Sequence, residues 1–264
     1  MDGPAVVLIG GAPGAGKTTL ARAVAERLGW LALPGDALVT AMRGVTERAT
    51  HPALHVAGRG RHVEYFTNGP PEKLVDDAIR LQAEAWPGFE RVISFHSRFG
   101  PSATVDSWTF TPGNVAGLEL DNAVAVWIVI DRAELEKREQ PQPGYVDPSP
   151  DPERRRSNFL HRSLWCNGYM EREAKLHGMP VLYQDGTHSV SEHVAAVLDT
   201  TLKIPNLALA TVDSHIKHGR RGDLRCPGHS DGNGSPDRIR KSQAGGDTKD
   251  SIDLALSRTH LIYA

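Results

Sequence analysis

This sequence of 264 residues has few cysteines, no long apolar run and almost no excess of either charge sign. The two cysteines, Cys166 and Cys226, have no paired spacing, which excludes a disulfide framework. No apolar run approaches the roughly 20 residues that span a bilayer, and the first residues lack the pattern of a secretory signal. A net charge of −2 gives no basic field that would attract nucleic acid. We therefore expect a soluble, cytoplasmic protein without a membrane or nucleic-acid partner.

One segment near the start combines spaced glycines with a lysine and a threonine. Residues 11–18 read GAPGAGKT and fit the phosphate-binding pattern G-x-x-x-x-G-K-[ST] at every fixed position. Glycines let the backbone curl so that several N–H groups face one anion, and the following helix adds the positive end of its dipole. The alternative is a glycine-rich turn with a surface lysine. The predicted nucleotide-binding residues are Gly11, Ala12, Pro13, Gly14, Ala15, Gly16, Lys17, Thr18 and Thr19.

The flanks of this segment favour the phosphate-binding interpretation. Residues 5–9 are apolar and β-branched, which predicts a buried strand. Leu20, Val24 and Leu28 recur every four residues and form one apolar helix face, and Gly29 follows as a glycine cap. The order strand, loop, helix is the one that a phosphate-binding loop requires.

Strands and helices alternate along most of the chain, which predicts a parallel α/β sheet with crossover helices. The predicted strands are 5–9, 30–33, 102–110, 123–130 and 181–183, and we expect Pro87 to break the helix that begins at Pro71. Ligands of such sheets bind beyond the carboxyl ends of the strands. We predict one domain over residues 1–202. Residues 217–250 contain few apolar side chains, so we expect residues 203–264 to be a mostly disordered tail.

Three features together resemble the small P-loop kinases, the nucleoside-monophosphate-kinase-like group. They are the glycine-rich loop, the Gly35-Asp36 step after the second strand and an arginine-bearing helix after the fourth strand. Residues 30–42 are similar to the corresponding stretch of chloramphenicol phosphotransferase-like, AAA-type small kinases. The resemblance covers about residues 5–200. It implies a three-layer sandwich with a five-stranded parallel sheet, a helical lid over about residues 132–165, and ATP with Mg²⁺ as cofactors.

The loop pattern and the resemblance assign roles to four residues. Lys17 reaches the terminal phosphates, and the Thr18 hydroxyl holds Mg²⁺. Asp36 takes the proton of the acceptor hydroxyl, as an acid at that position does in the resembling phosphotransferases; the alternative is a plain helix N-cap. Asp106 orients Mg²⁺ through water, the alternative being a strand-end aspartate without a ligand.

Arginines of the predicted lid are the remaining catalytic candidates. Arg155 and Arg162 are seven residues apart, which places them on one helical stripe that could close on the phosphates. The alternative is a solvated basic face, and Arg132 and Arg138 are weaker candidates. Further basic residues lie in segments expected to cover an acceptor pocket, and they would suit an acidic or phosphorylated acceptor. They are Arg43, Arg59, Arg61 and residues 96–98.

These patterns predict an ATP-dependent phosphotransferase that moves the γ-phosphoryl group to a hydroxyl of a small molecule. Its partners are then a nucleoside triphosphate and an acceptor that the sequence does not identify. The alternative is a P-loop ATPase that acts as a nucleotide-dependent switch without a small acceptor. Phosphorylation of a nucleic-acid or nucleotide-sugar end is a third option, which the acidic balance disfavours.

Overall fold

The computed structural model describes residues 5–57, 61–119, 122–141 and 147–201. All of them fall within one compact unit, Met1–Leu209. The predicted tail at residues 203–264 lies outside the described residues. Within the described part of the chain, no helix combines the length and apolar character needed to cross a membrane.

A five-stranded parallel sheet forms the centre of the domain, and it confirms the predicted fold class. The strands lie in the order β2-β3-β1-β4-β5, so β3 inserts between the first two strands. Because all strands are parallel, their carboxyl ends meet at one edge of the sheet. The strands are β1 Val6–Gly11, β2 Leu31–Pro34, β3 Ala103–Ser107, β4 Ala123–Ile130 and β5 Val181–Gln184.

Helices cover both faces of the sheet, as right-handed crossovers between parallel strands require. The phosphate-binding segment connects β1 directly to the first helix. A short 3₁₀ helix, Ala53–His55, lies between the second and third helices. The helices are α1 Lys17–Leu28, α2 Gly35–Val45, α3 His62–Asn68, α4 Pro71–Arg98, α5 Pro112–Ala116, α6 Arg132–Arg138, α7 Pro152–Leu176 and α8 Val190–Thr201.

The alternating side chains of β1 pack in two separate hydrophobic cores, one on each face of the sheet. Val6 and Leu8 pack with residues of α4 and α7 on one face of the sheet. Val7 and Ile9 pack with residues of α1 and α8 on the other face. All six residues of β1 are buried. The central strand is therefore held from both sides, and the loop that follows it has a rigid base.

The long helix α4 departs from the sequence prediction. It runs without a break from Pro71 to Arg98, so the prediction that Pro87 ends the helix was wrong. The inner face continues across the proline, because Ala85, Phe89 and Ile93 are all fully buried. Burial of this apolar stripe offsets the backbone hydrogen bond that the proline removes.

Two aspartates begin helices as the sequence indicates. The Asp131 side chain accepts a hydrogen bond of 2.7 Å from the Ala133 amide at the start of α6. The Asp151 side chain accepts one of 3.0 Å from the Arg154 amide at the start of α7. Each cap satisfies an amide that the helix itself leaves unpaired.

Candidate nucleotide and acceptor site

The glycine-rich segment lies at the carboxyl edge of the sheet, between β1 and α1. Its backbone takes left-handed values at Gly14 (φ 81°) and Gly16 (φ 95°), where a side chain would be strained. A Cβ at Gly14 would lie 2.5 Å from Leu135 Cδ1, so this position also lacks space for a side chain. Gly16 is the N-cap of α1 and offers no side-chain acceptor. The first amides of α1 thus have no side-chain cap and suit an anion.

Lys17 is buried at the base of this segment. Its Nζ donates a hydrogen bond of 2.8 Å to the Ala12 carbonyl, which folds the side chain back over the loop. Burial lowers the pKa of Lys17, and the nearby carboxylates of Asp106 and Asp36 oppose that shift. The arrangement places a desolvated cation where the loop amides converge, and such a charge interacts strongly with an anion.

Thr18 and Asp106 meet directly, although 88 positions separate them. Thr18 Oγ1 donates a hydrogen bond of 2.7 Å to Asp106 Oδ2. The contact forms because β3 pairs with β1, with Ile9 opposite Asp106. Burial raises the pKa of Asp106, while the Thr18 hydroxyl and the Lys17 ammonium lower it. A hydroxyl and a carboxylate are hard oxygen donors, the kind that Mg²⁺ accepts beside phosphates and water.

The chemistry of this pair fits a magnesium site shared with a nucleotide. Among the described residues, no group of three or more His, Cys, Asp or Glu side chains is placed to hold a metal. Mg²⁺ in kinase sites needs only one or two protein ligands, because phosphate and water oxygens complete its shell. Thr18 and Asp106 therefore supply as much as such a site requires.

Asp36 lies in the first turn of α2, directly after β2. The N-cap of α2 is Pro34, and the helix has no side-chain cap, so the plain N-cap alternative does not hold. Asp36 is exposed. Desolvation by surrounding groups raises the pKa of its carboxyl, while the cations of Lys17 and Arg43 act in the opposite direction. A carboxylate of raised pKa that faces the loop is suited to accept a proton.

Arg162 lies on α7. Arg162 is only 5% exposed, and its guanidinium lies over three aromatic rings. The guanidinium carbon is 4.5 Å from the ring centroid of Phe66, 4.8 Å from that of Trp108 and 5.9 Å from that of Phe159. Burial lowers the pKa of Arg162. Arg162 is also close enough to Asp36 and Lys17 for their charges to interact.

Arg155 lies elsewhere on the same helix. Its Nη2 is 2.5 Å from Asp147 Oδ2, and its Nε donates to the same oxygen at 2.9 Å. Arg155 and Arg162 are seven residues apart, which is about 10 Å along a helix. The two side chains therefore share one helix face but lie at different positions along it. A nucleotide contact by Arg155 stays a prediction.

Arg138 of α6 is the described arginine that contacts the loop itself. Its Nη1 donates a hydrogen bond of 3.1 Å to the Gly14 carbonyl, and Nε donates to Glu134 Oε1 at 2.8 Å. Arg132, the other weaker candidate, is exposed and pairs with Glu136. The end of α6 is thus the part of the predicted lid that lies on the loop.

The other basic candidates are divided between the cleft and the surface. Arg43 is half-buried beside Asp36, and its Nε donates to the Leu54 carbonyl at 2.5 Å. Arg61 is exposed, and His96 is buried with Nδ1 2.7 Å from the Pro101 carbonyl oxygen. Arg59 lies outside the described residues. Arg43 is therefore the member of this set that the structure brings to the candidate site.

The strand order, the loop geometry and the Thr18–Asp106 contact define a phosphate-binding domain. The chain carries a P-loop domain. Residues 6–82 match the family described as an AAA domain. The 2-phosphoglycerate kinase of Methanocaldococcus jannaschii is 29% identical over 182 residues, which are 68% of this chain and 58% of that protein. The chain therefore spans less than two thirds of this relative. The predicted resemblance to small P-loop kinases is confirmed.

Two solved structures resemble the P-loop domain. A gluconokinase from Sinorhizobium meliloti 1021 shows 18% identity and a TM-score of 0.47, covering 76% of this chain and 94% of that one. A shikimate kinase from Acinetobacter baumannii in complex with shikimate shows 14% identity and a TM-score of 0.43, with the same coverage of 76% and 94%.

Sequence reasoning missed two features of the site. Gly35 places the start of α2 against β3, because a Cβ there would overlap the Asp106 carbonyl oxygen. The ring of Trp108 lies against the Arg162 guanidinium. The pattern after β2 contained a signal for Gly35. Nothing local to Trp108 indicated an arginine 54 positions away.

Proposed function

We propose that the chain is an ATP-dependent kinase that transfers the γ-phosphoryl group to a hydroxyl of a small-molecule acceptor. The observation that carries this proposal is the position of Asp36, a carboxylate that does not cap its helix and lies near the cation of Lys17. A nucleotide switch needs the loop, but it does not need a proton acceptor beyond the phosphates. The activity of the 2-phosphoglycerate kinase supports the same class of reaction.

The loop amides and Lys17 would bind the β- and γ-phosphates. Phosphoryl transfer places negative charge on the transferred group, so a buried ammonium and aligned amides stabilise the transition state. Arg138 lies on the Gly14 carbonyl, from where the end of α6 can cover the nucleotide. Water exclusion by such a cover favours transfer over hydrolysis.

Thr18 and Asp106 would hold Mg²⁺, which neutralises phosphate charge when bound. Their oxygens are hydrogen-bonded to each other, so both point to one place beside the loop. Asp106 lies on a buried strand, and this fixes its orientation.

Asp36 would accept the proton of the acceptor hydroxyl. The acceptor oxygen forms a bond to the γ-phosphorus, the bond from that phosphorus to the β–γ bridging oxygen breaks, and ADP leaves. The hydroxyl proton passes to the Asp36 carboxylate. A raised pKa brings the carboxylate closer to the operating pH, which favours general-base catalysis.

The composition supports a cytoplasmic location, because two cysteines without paired spacing suit a reducing compartment. The relative makes phosphoglycerate the first acceptor to test, followed by other small hydroxy acids.

Release of ADP, measured with and without a panel of hydroxyl compounds, tests the proposal. We expect release to depend on an acceptor, and Asp36→Asn to lower turnover far more than it lowers ATP affinity. Acceptor-independent hydrolysis would favour the switch. An equal loss of turnover and ATP affinity would make Asp36 structural.

A further inference from the structure

Three aromatic rings surround the Arg162 guanidinium, and two of them come from residues that are distant in sequence. Phe66 lies on α3 and Trp108 follows β3. Phe159 lies on α7, almost one turn before Arg162. Stacking on rings fixes the plane of a guanidinium while leaving its edge free to donate hydrogen bonds. The side chain is therefore oriented, although it is held by apolar surfaces.

Two donor nitrogens of this guanidinium, Nε and Nη2, are buried and have no hydrogen-bond acceptor among the described residues. Buried donors without partners are costly, and arginine is rarely buried unless it is paired. The Tyr65 hydroxyl, which is close by, donates to Asp77 instead. Arg156 of the same helix donates to the Glu136 carbonyl through its Nη2. Arg162 thus keeps two buried donors without acceptors, and this arrangement lowers the stability of the folded protein.

The location of Arg162 favours the acceptor over the nucleotide. Arg162 is close enough to Asp36, the proposed proton acceptor, for their charges to interact, and it packs on α3 and on the residue that follows β3. Arg138 contacts the loop through α6, at its Gly14 carbonyl. An acceptor hydroxyl at Asp36 would place the rest of a small acceptor against the Arg162 wall.

We propose that Arg162 binds an anionic group of the acceptor, so that the substrate is a small hydroxy acid with a carboxylate or a phosphate. This inference rests on the proposed function. Two parallel N–H donors match two oxygens of either group, and a guanidinium makes this bidentate contact where a lysine does not. A site with buried donors strongly rejects an analogue that leaves them unpaired. Arg162 therefore selects acids over neutral polyols of the same size.

Three acceptors distinguish the sources of the charge: D-glycerate with a carboxylate, glycerol 3-phosphate with a phosphate, and glycerol with neither. Each is titrated by calorimetry into the full chain saturated with Mg²⁺ and a nonhydrolysable ATP analogue, and each is assayed for phosphoryl transfer with ATP. We expect at least one acid to bind at least about 100-fold more tightly than glycerol. Arg162→Met should remove that difference, and Arg162→Lys should restore only part of it.

Arg172→Met is the matched control, because Arg172 is exposed on the same helix and lies outside the predicted lid. It should change neither acid binding nor turnover by more than about twofold. Arg162→Met should keep the affinity for the ATP analogue within about threefold and should leave the melting temperature unchanged or raised, since methionine fits an aromatic wall and leaves no unpaired donor.

Equal binding of glycerol and both acids would overturn the inference. So would an Arg162→Met variant that loses ATP affinity as strongly as acid affinity, because Arg162 would then be a nucleotide ligand. Acid binding that depends on Arg162 without any transfer would support the inference and refute the kinase. Phosphoryl transfer to glycerol at the same rate as to the acids would support the kinase and refute the inference.

Discussion

Replacement of Lys17 by methionine separates the charge of this residue from its packing. Lys17 is 8% exposed, and its ammonium makes a hydrogen bond of 2.8 Å to the Ala12 carbonyl. Methionine keeps most of the stem volume, so the loop and α1 retain their contacts. The variant therefore removes one cation from the phosphate-binding segment and little else.

The expected loss of activity follows from the role of that charge. Removal of a single neutral donor from a transition-state site costs about 10²–10³ in turnover. A buried ammonium contributes more, so we expect a fall of at least about 10³-fold, or about 4 kcal/mol. The hydrogen bond to Ala12 contributes about 1.5–3 kcal/mol to folding, and burial of the ammonium costs several kcal/mol. The free energy of unfolding should thus stay similar or rise.

Turnover is measured as ADP release at saturating ATP and acceptor, and the free energy of unfolding by urea titration. Lys175→Met is the control, because Lys175 is 58% exposed at the far end of α7. A Lys17→Met protein that is folded and keeps more than about a tenth of the turnover would refute the reasoning. A variant that is less stable by more than about 3 kcal/mol would show that the ammonium is a structural group.

Two further predictions concern α2. Gly35→Ala should lower the free energy of unfolding by about 2–3 kcal/mol, because the added Cβ overlaps the Asp106 carbonyl oxygen. Gly44→Ala is the control on the same helix: its Cβ meets no atom of the described residues within 4 Å, so it should be neutral or stabilising. Equal melting temperatures of the two variants would contradict this prediction. Arg43→Met should move the acidic limb of the pH–rate profile to higher pH. In the proposed mechanism the carboxylate form of Asp36 is the active one, so activity should be lost as pH falls through its pKa, and loss of the Arg43 cation should raise that pKa further. Arg43→Lys should keep the limb in place, and a limb that does not move in either variant would remove Asp36 as the base.

Local patterns predicted the phosphate-binding loop and its flanks, because their function depends on backbone geometry that neighbouring residues set. Gly14 and Gly16 permit left-handed backbone, and the apolar spacing after Lys17 forms one helix face. The predicted limits of β4 agree with the structure, since a run of eight apolar residues rich in valine and isoleucine favours a buried strand. The break expected at Pro87 failed because packing of α4 outweighed a local preference.

The partners of the functional residues depended on the tertiary structure. Asp106 meets Thr18 only because β3 inserts beside β1, and no spacing along the chain encodes that order. Arg162 resembled any exposed arginine of a basic helix, yet rings from α3 and from the end of β3 pack against it, and two of its donors have no acceptor in the described part of the chain. The sequence determined where a triphosphate can bind, since amides and glycines act locally. Only the fold decided which distant charges face it, because contact between remote side chains is settled by strand order and packing.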